Sequence, residues 1–202
     1  MNLSIKTLLS NNDEVLKPII QEVTLPTLAS SKSVFHDLMS CVIEQQIHYR
    51  SSKNTFTKLL QVANIELLTL GNFSVLEEKA LGGVKLSTRK YETMERVLEF
   101  FWQNSPDWQN LSDEEVRKTL GAIKGIGKWT IDMILLYTLG RADIFPVDDY
   151  HLKQLMTRLY KLDPKVKLAA NMKVIAEQWA PYRSFGVKYL LAFKEYEKTK
   201  VQ

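Results

Sequence analysis

The sequence predicts an all-α fold, and three observations carry that reading. Long stretches repeat apolar residues at the three-to-four spacing of an amphipathic helix. No segment shows a convincing apolar–polar alternation of the kind a half-buried strand needs. Only eight glycines and six prolines interrupt 202 residues, and no repeat, low-complexity tract or linker divides them.

Taken in order, the elements follow from local chemistry. The first ten residues are apolar but short, and lack the charged start and small-residue cleavage site of a secretion signal. Residues 33–62 read as two helices. The first runs through Phe35, Leu38, Met39, Val42 and Ile43; the second runs through Phe56, Leu59 and Leu60. Between them Glu44-Gln-Gln-Ile-His-Tyr-Arg-Ser-Ser52 is a polar bend around one apolar residue, Ile47. Residues 73–82 form a short helix that breaks at Gly82-Gly83, and 87–102 a longer amphipathic one. Ser112 opens the next helix as a capping box, because Glu115 follows three residues later. That helix ends near Ile123, and another covers 128–139. A loop over 140–148 leads into a helix through Leu152 and Leu155, with two more around 165–179 and 184–198. The chain is read as one domain over 1–202, with subdomains of 33–140 and of 1–32 plus 141–202.

Composition narrows the function. At 45% apolar and 25% charged the chain reads as soluble and globular. No apolar run approaches the roughly 18 residues a membrane span needs, so no membrane partner is expected. A single cysteine, Cys41, excludes an internal disulfide framework and any four-cysteine metal site made by this chain alone. An intracellular protein is expected: cytoplasmic in a bacterium, nuclear in a eukaryote. A net charge of +4 permits a nucleic-acid partner without requiring one.

The stretch Ile123-Lys-Gly-Ile-Gly-Lys-Trp-Thr130 sits between two helices. Glycine inside a helix costs about 1 kcal/mol against alanine, so the pair belongs in a turn. Two readings fit. In one, the turn is a tight connection that packs Ile126 into the core. In the other, the bare backbone at Gly125 and Gly127 lets a phosphate approach the N–H groups that start the next helix. Lys124 and Lys128 then add positive charge, and the contact holds a nucleic-acid backbone without reading bases.

Three segments together resemble a known family. Leu120-Gly-Ala-Ile-Lys-Gly-Ile-Gly-Lys-Trp-Thr-Ile131 looks like the helix-hairpin-helix of DNA glycosylases. Phe145-Pro-Val-Asp-Asp-Tyr-His151 resembles the loop that carries their catalytic aspartate, and Val42-Ile-Glu-Gln-Gln-Ile-His48 their minor-groove bend. Within the superfamily the chain is most similar to the alkylated-base subgroup, the 3-methyladenine DNA glycosylases II. Trp179-Ala-Pro-Tyr-Arg-Ser-Phe185 resembles a C-terminal segment of that subgroup. Bifunctional members carry a lysine nucleophile where this chain has Trp129. Lys128 is one position off and about 100° around the helix. The longest members carry an extra N-terminal domain, so the short form is expected.

The resemblance implies two helical subdomains flanking a DNA-binding cleft, and hydrolysis of an N-glycosidic bond. It assigns the catalytic carboxylate to Asp149, while Asp148 caps the next helix or steadies the loop. Read without the family, either aspartate serves as a helix cap. The sugar of the departing base develops oxocarbenium character, which a carboxylate stabilises while orienting or activating water. A unit charge about 4 Å away at an effective dielectric of ~20 contributes about 4 kcal/mol, or roughly three decades of rate. Asp132, one helical step from Trp129, is a competing carboxylate, with backbone N–H groups of a neighbouring loop as its expected partners.

The target base must leave the stack. Ile47 is the expected wedge, with Gln46 and His48 beside it on the DNA; its alternative is ordinary core packing. Trp129 and Tyr150 match aromatic pocket positions, suited to a cationic base. Met133 and Leu191 stand where longer relatives carry aromatics, with Phe35 or Tyr137 as compensation. Trp179 and Trp102 are read as core, and His151 as an ordinary histidine. Gly125, Gly127 and Thr130 match backbone N–H donors to phosphate. The carbonyls of Gly121, Ile123 and Ile126 match those that hold a monovalent cation, Na+ or K+; no other cofactor is implied. The implied partner is double-stranded DNA with damaged bases, bound by a monomer. A helix-hairpin-helix module that binds DNA or lesions without catalysis is the alternative, and it has no use for the Asp149 loop.

Overall fold

The computed structural model of the chain describes residues 3–25, 30–45 and 54–200. Among these, eleven α-helices and no strand are present: α1 Leu3–Asn12, α2 Leu16–Glu22, α3 Val34–Glu44, α4 Thr55–Ala63, α5 Phe73–Lys79, α6 Thr88–Gln103, α7 Asp113–Gly121, α8 Lys128–Met133, α9 Tyr150–Leu159, α10 Leu168–Glu177 and α11 Arg183–Lys200. The all-α reading therefore holds. No described helix is long and apolar enough to cross a membrane. The chain divides into two compact units.

The unit Leu28–Gly140 contains α3 to α8. Its central helix, α3, is buried along its whole length, polar residues included. Each of these has a partner, as buried polar groups need. The Ser33 hydroxyl caps α3 by accepting the His36 N–H at 3.3 Å. His36 Nδ1 accepts the Leu68 N–H at 2.9 Å, and the Asp37 carboxylate accepts the Thr138 hydroxyl at 2.6 Å. Glu44 accepts the Phe56 N–H. Burial, with Asp37 and Glu44 nearby, pushes the Cys41 thiol far above its ordinary range and leaves it inert.

The predicted capping box of α7 is present. The Glu115 N–H reaches the Ser112 hydroxyl at 3.3 Å, and the Ser112 N–H reaches the Glu115 carboxylate at 2.8 Å. The Ser112 N–H, and then its hydroxyl donating to the same carboxylate at 2.8 Å, hold the Glu115 carboxyl below its usual range. The helix expected over 128–139 is α only to Met133. It widens into a π turn over Ile134–Thr138, whose five residues are all buried. Trp102, read as core, is instead 70% exposed at the last turn of α6. Apolar spacing cannot tell a helix's inner stripe from a residue one step beyond it.

The second unit joins Met1–Thr27 to Arg141–Gln202. Its first two helices were not legible as helices: Ser4, Thr7 and Ser10 in α1 are poor helix formers, and α2 carries Pro18. Asp13 organises this unit. One oxygen caps α2 by accepting the N–H groups of Val15 and Leu16 at 2.9 Å. The other accepts the Tyr160 hydroxyl at 2.6 Å and the Trp179 indole N–H at 2.7 Å. Burial, then the Asp13 carboxylate, pushes the Tyr160 phenol above its ordinary range. Trp179 is fully buried, as expected, and it explains Gly186: a Cβ there would stand 2.6 Å from the indole ring.

Candidate active site

Two segments carry the expected chemistry, one in each unit. The first is the turn from α7 to α8. Gly125 has φ +106°, a conformation that disfavours any side chain. A Cβ there would also meet Thr93 Oγ1 at 2.4 Å. The fold of this turn alone thus accounts for Gly125. Gly127 is different. Its φ of −94° suits any residue, and nothing lies within 4 Å of where its Cβ would be. No internal packing requires a glycine at that position, so its bareness faces outward.

The first bond of α8 runs from the Ile131 N–H to the Gly127 carbonyl at 3.1 Å. Backbone N–H groups at a helix start lie outside the helix's own ladder and attract anions. Lys124 and Lys128 are exposed on either side of the glycines, and Thr130 is half-buried. Ile126 is buried, so the turn packs an apolar anchor inward while presenting backbone outward. The packed connection of the first reading is present, and the open backbone at Gly127 is compatible with the second. At the C-terminal end of α7, Ile123 is buried and its carbonyl accepts the Ile126 N–H at 3.0 Å. A carbonyl has a second lone pair, and the end of a helix favours positive charge. The chemistry of the Gly121, Ile123 and Ile126 carbonyls therefore suits a monovalent cation. Among the described residues no cluster of three or more His, Cys, Asp or Glu side chains could hold a metal ion.

Asp132 is 1% exposed, and Arg117 Nη1 lies 2.6 Å from its Oδ1. This corrects the expectation of a neighbouring loop. The partner is the guanidinium of the preceding helix, which ties α7 to α8 across the turn. Met133 and Tyr137 are buried, Trp129 is half-buried, and Phe35 packs edge-on against Phe101 at 5.4 Å. The expected wedge and its neighbours, Gln46, Ile47 and His48, lie outside the described residues. The described chain reaches them through Gln45, which ends α3 in the left-handed region at φ 57°.

The second segment leads into α9. Asp149 is 8% exposed and is the N-cap of that helix, its Oδ1 accepting the Leu152 N–H at 2.8 Å. Asp148 is exposed and faces Lys153 at 3.5 Å. The capping role suggested for Asp148 thus belongs to Asp149. The cap and a catalytic role are compatible, because an ionised carboxylate offers about four acceptor positions.

The loop before Asp149 is pinned from a distance in sequence. Arg183 grips Asp143 through Nε at 2.7 Å and Nη2 at 2.6 Å. That fork holds the Asp143 carboxyl below its usual range. The buried Ser184 hydroxyl accepts the Ile144 N–H at 2.9 Å and donates to the Arg141 carbonyl at 2.6 Å. The Ser184 N–H donates to the Ala142 carbonyl at 3.0 Å. The Arg-Ser of the C-terminal segment, read above only as a mark of resemblance, therefore fastens residues 141–144. Sequence reasoning missed Asp143 as its partner, since no periodicity links positions forty apart.

Tyr150 follows Asp149 and is 66% exposed, with its hydroxyl accepting from Gln154 Nε2 at 2.8 Å. Leu191 is buried on α11. His151, read as ordinary, lies with Nδ1 2.6 Å from Lys194 Nζ.

No family model matches the chain. It is 27% identical over 169 residues to DNA-3-methyladenine glycosylase 1 of Schizosaccharomyces pombe, a match spanning 79% of this chain and 72% of that one. A Bacillus subtilis protein provisionally named a DNA-3-methyladenine glycosylase is 26% identical over 184 residues, spanning 87% of this chain and 64% of that one. The chain thus spans under two thirds of the Bacillus protein's length. Among solved structures, that of an S. pombe 3-methyladenine DNA glycosylase in complex with abasic DNA superposes with a TM-score of 0.76 at 26% identity. The superposition covers 93% of this chain and 94% of that one. Hairpin, aspartate loop and whole-chain likeness converge: the chain belongs to the alkylated-base branch of the helix-hairpin-helix DNA glycosylase superfamily.

Proposed function

We propose that the chain is a monofunctional DNA glycosylase that removes alkylated purines from double-stranded DNA in base excision repair. The observation that carries this reading is Asp149: a nearly buried carboxylate fixed at a helix start by its own cap bond. The hairpin grips the DNA backbone through Gly125, Gly127 and Thr130, with Lys124 and Lys128 adding charge. The carbonyls of Gly121, Ile123 and Ile126 would hold Na+ or K+ there, whose charge is complementary to phosphate. Gln46, Ile47 and His48 open the stack, and Trp129, Tyr150, Met133, Leu191 and Phe35 receive the base.

An N-alkylated purine carries positive charge on its ring. The C1′–N bond breaks, the base takes the electron pair and leaves neutral. Positive charge then spreads over C1′ and the sugar oxygen, where the Asp149 carboxylate stabilises it. Water adds to C1′ on the opposite side from the leaving base or where the carboxylate orients it, and its proton passes to Asp149 or to solvent. No strong general acid is needed, because the leaving group is already cationic. Trp129 in place of a lysine removes the amine that would form a covalent sugar adduct. Repair of this kind places the chain where the DNA is, in a bacterial cytoplasm or a eukaryotic nucleus.

The test is base release from methylated double-stranded DNA, with borohydride added in a parallel reaction. The expected result is free methylated purine and no protein–DNA adduct. A trapped adduct would contradict the monofunctional assignment. DNA binding with no base release would favour the non-catalytic binding module.

A further inference from the structure

We propose that Lys194 and His151 are positioning residues that set the ring of Tyr150 for the displaced base. The inference rests on the glycosylase reading above and gives a task to Lys194, which lies outside its motifs, and to His151, read there as an ordinary histidine. An aromatic ring that is 66% exposed would ordinarily be free to turn about two side-chain torsions. This one is held at both ends. Its hydroxyl accepts from Gln154 Nε2 at 2.8 Å, one helical turn further along α9. Its ring meets that of His151 edge-to-face, with centroids 5.4 Å apart and planes at 66°.

His151 is held in turn. Lys194, on α11, places Nζ 2.6 Å from Nδ1. An ammonium has only donors, so Nδ1 must be the acceptor and the imidazole proton sits on Nε2. The contact therefore fixes both the tautomer and the plane of the ring. Helices α9 and α11 already pack against each other, and Leu152, Leu155, Leu190 and Leu191 on them are buried. The polar chain Lys194–His151–Tyr150–Gln154 is half-buried to exposed, and its Tyr150 directly follows Asp149. Its consequence is a ring face set before the base arrives, which spares the complex the entropy of ordering it.

The experiment is single-turnover release of base from a methylated double-stranded oligonucleotide, with affinity for unmodified DNA and thermal melting measured alongside. His151→Leu keeps the volume and loses the acceptor. It is expected to slow release about tenfold, the size of one lost polar contact, with affinity for unmodified DNA and the melting temperature unchanged. Lys194→Met should behave alike. His151→Asn, whose amide oxygen can take the place of Nδ1, should recover most of the rate. In a Tyr150→Ala background, His151→Leu should cause no further loss, because its effect runs through that ring. Additive losses in the double variant would overturn the positioning role, as would wild-type release by His151→Leu. A wild type that released no base would overturn the glycosylase reading, and this inference with it.

Discussion

The hairpin and the aspartate loop solve opposite problems. In the proposed function the hairpin holds any stretch of DNA, a task for backbone rather than side chains. Its side chains serve the turn itself: Ile126 is buried, Gly125 fits against Thr93, and Arg117 pairs with Asp132 across the two helices. In the same proposal the aspartate loop holds one carboxylate in one place, and side chains fasten it. Arg183 grips Asp143, Ser184 bridges Arg141 and Ile144, and Asp149 caps α9. Recognition that ignores base sequence needs charge near the backbone and no single side-chain position. Charge stabilisation at a single carbon needs a fixed position, since its strength falls with distance.

The difference is broken most severely at Gly125. Gly125→Ala forces a Cβ into Thr93 at a positive φ, with an expected loss of about 2–4 kcal/mol of stability. Denaturant unfolding measures it, and DNA binding should fall with it. On the other side, Ser184→Ala orphans the Ile144 N–H in a buried setting, costing about 1–3 kcal/mol. Base release should slow while affinity for unmodified DNA stays the same. That split between release and affinity separates the loop from the hairpin.

Acid should act on the loop through the same clamp. The Asp143 carboxyl is held down by Arg183, so its contribution is present above the ordinary carboxylate range and is lost as pH falls through its lowered value. Melting of the wild type below about pH 4 should therefore drop more steeply than that of Arg183→Met. Smallest in stability is Gly127→Ala. A Cβ there meets nothing, so stability should stay within about 0.5 kcal/mol, while DNA affinity weakens for damaged and undamaged duplex alike. Unchanged affinity across a salt series would contradict the hairpin's role.

Much of this contrast was legible in the sequence, and for identifiable reasons. Ser112 and Glu115 marked a helix start because a capping box is local. The glycine pair marked a turn, although spacing could not assign its members different tasks, a packed one at 125 and an open one at 127. Asp149 was separable from Asp148 only by resemblance; its bond to the Leu152 N–H makes it the cap. The clamp of Arg183 on Asp143 and the Lys194–His151 contact joined residues about forty positions apart, which no local pattern encodes. Helices α1 and α2 escaped because poor helix formers interrupt the first and Pro18 lies inside the second. Trp102 misled because helical spacing places a residue on a face but does not bury it.

The central claim is that the charge of Asp149 does the chemistry, beyond its service as a cap. Asp149→Asn isolates that charge, because asparagine caps helices as well as aspartate does and keeps an acceptor for the Leu152 N–H. The decisive measurement is single-turnover release of methylated purines by wild type and Asp149→Asn, with the fold of each checked by melting. The account predicts equal melting and a loss of release of roughly a thousandfold. Equal release by the two proteins would contradict it.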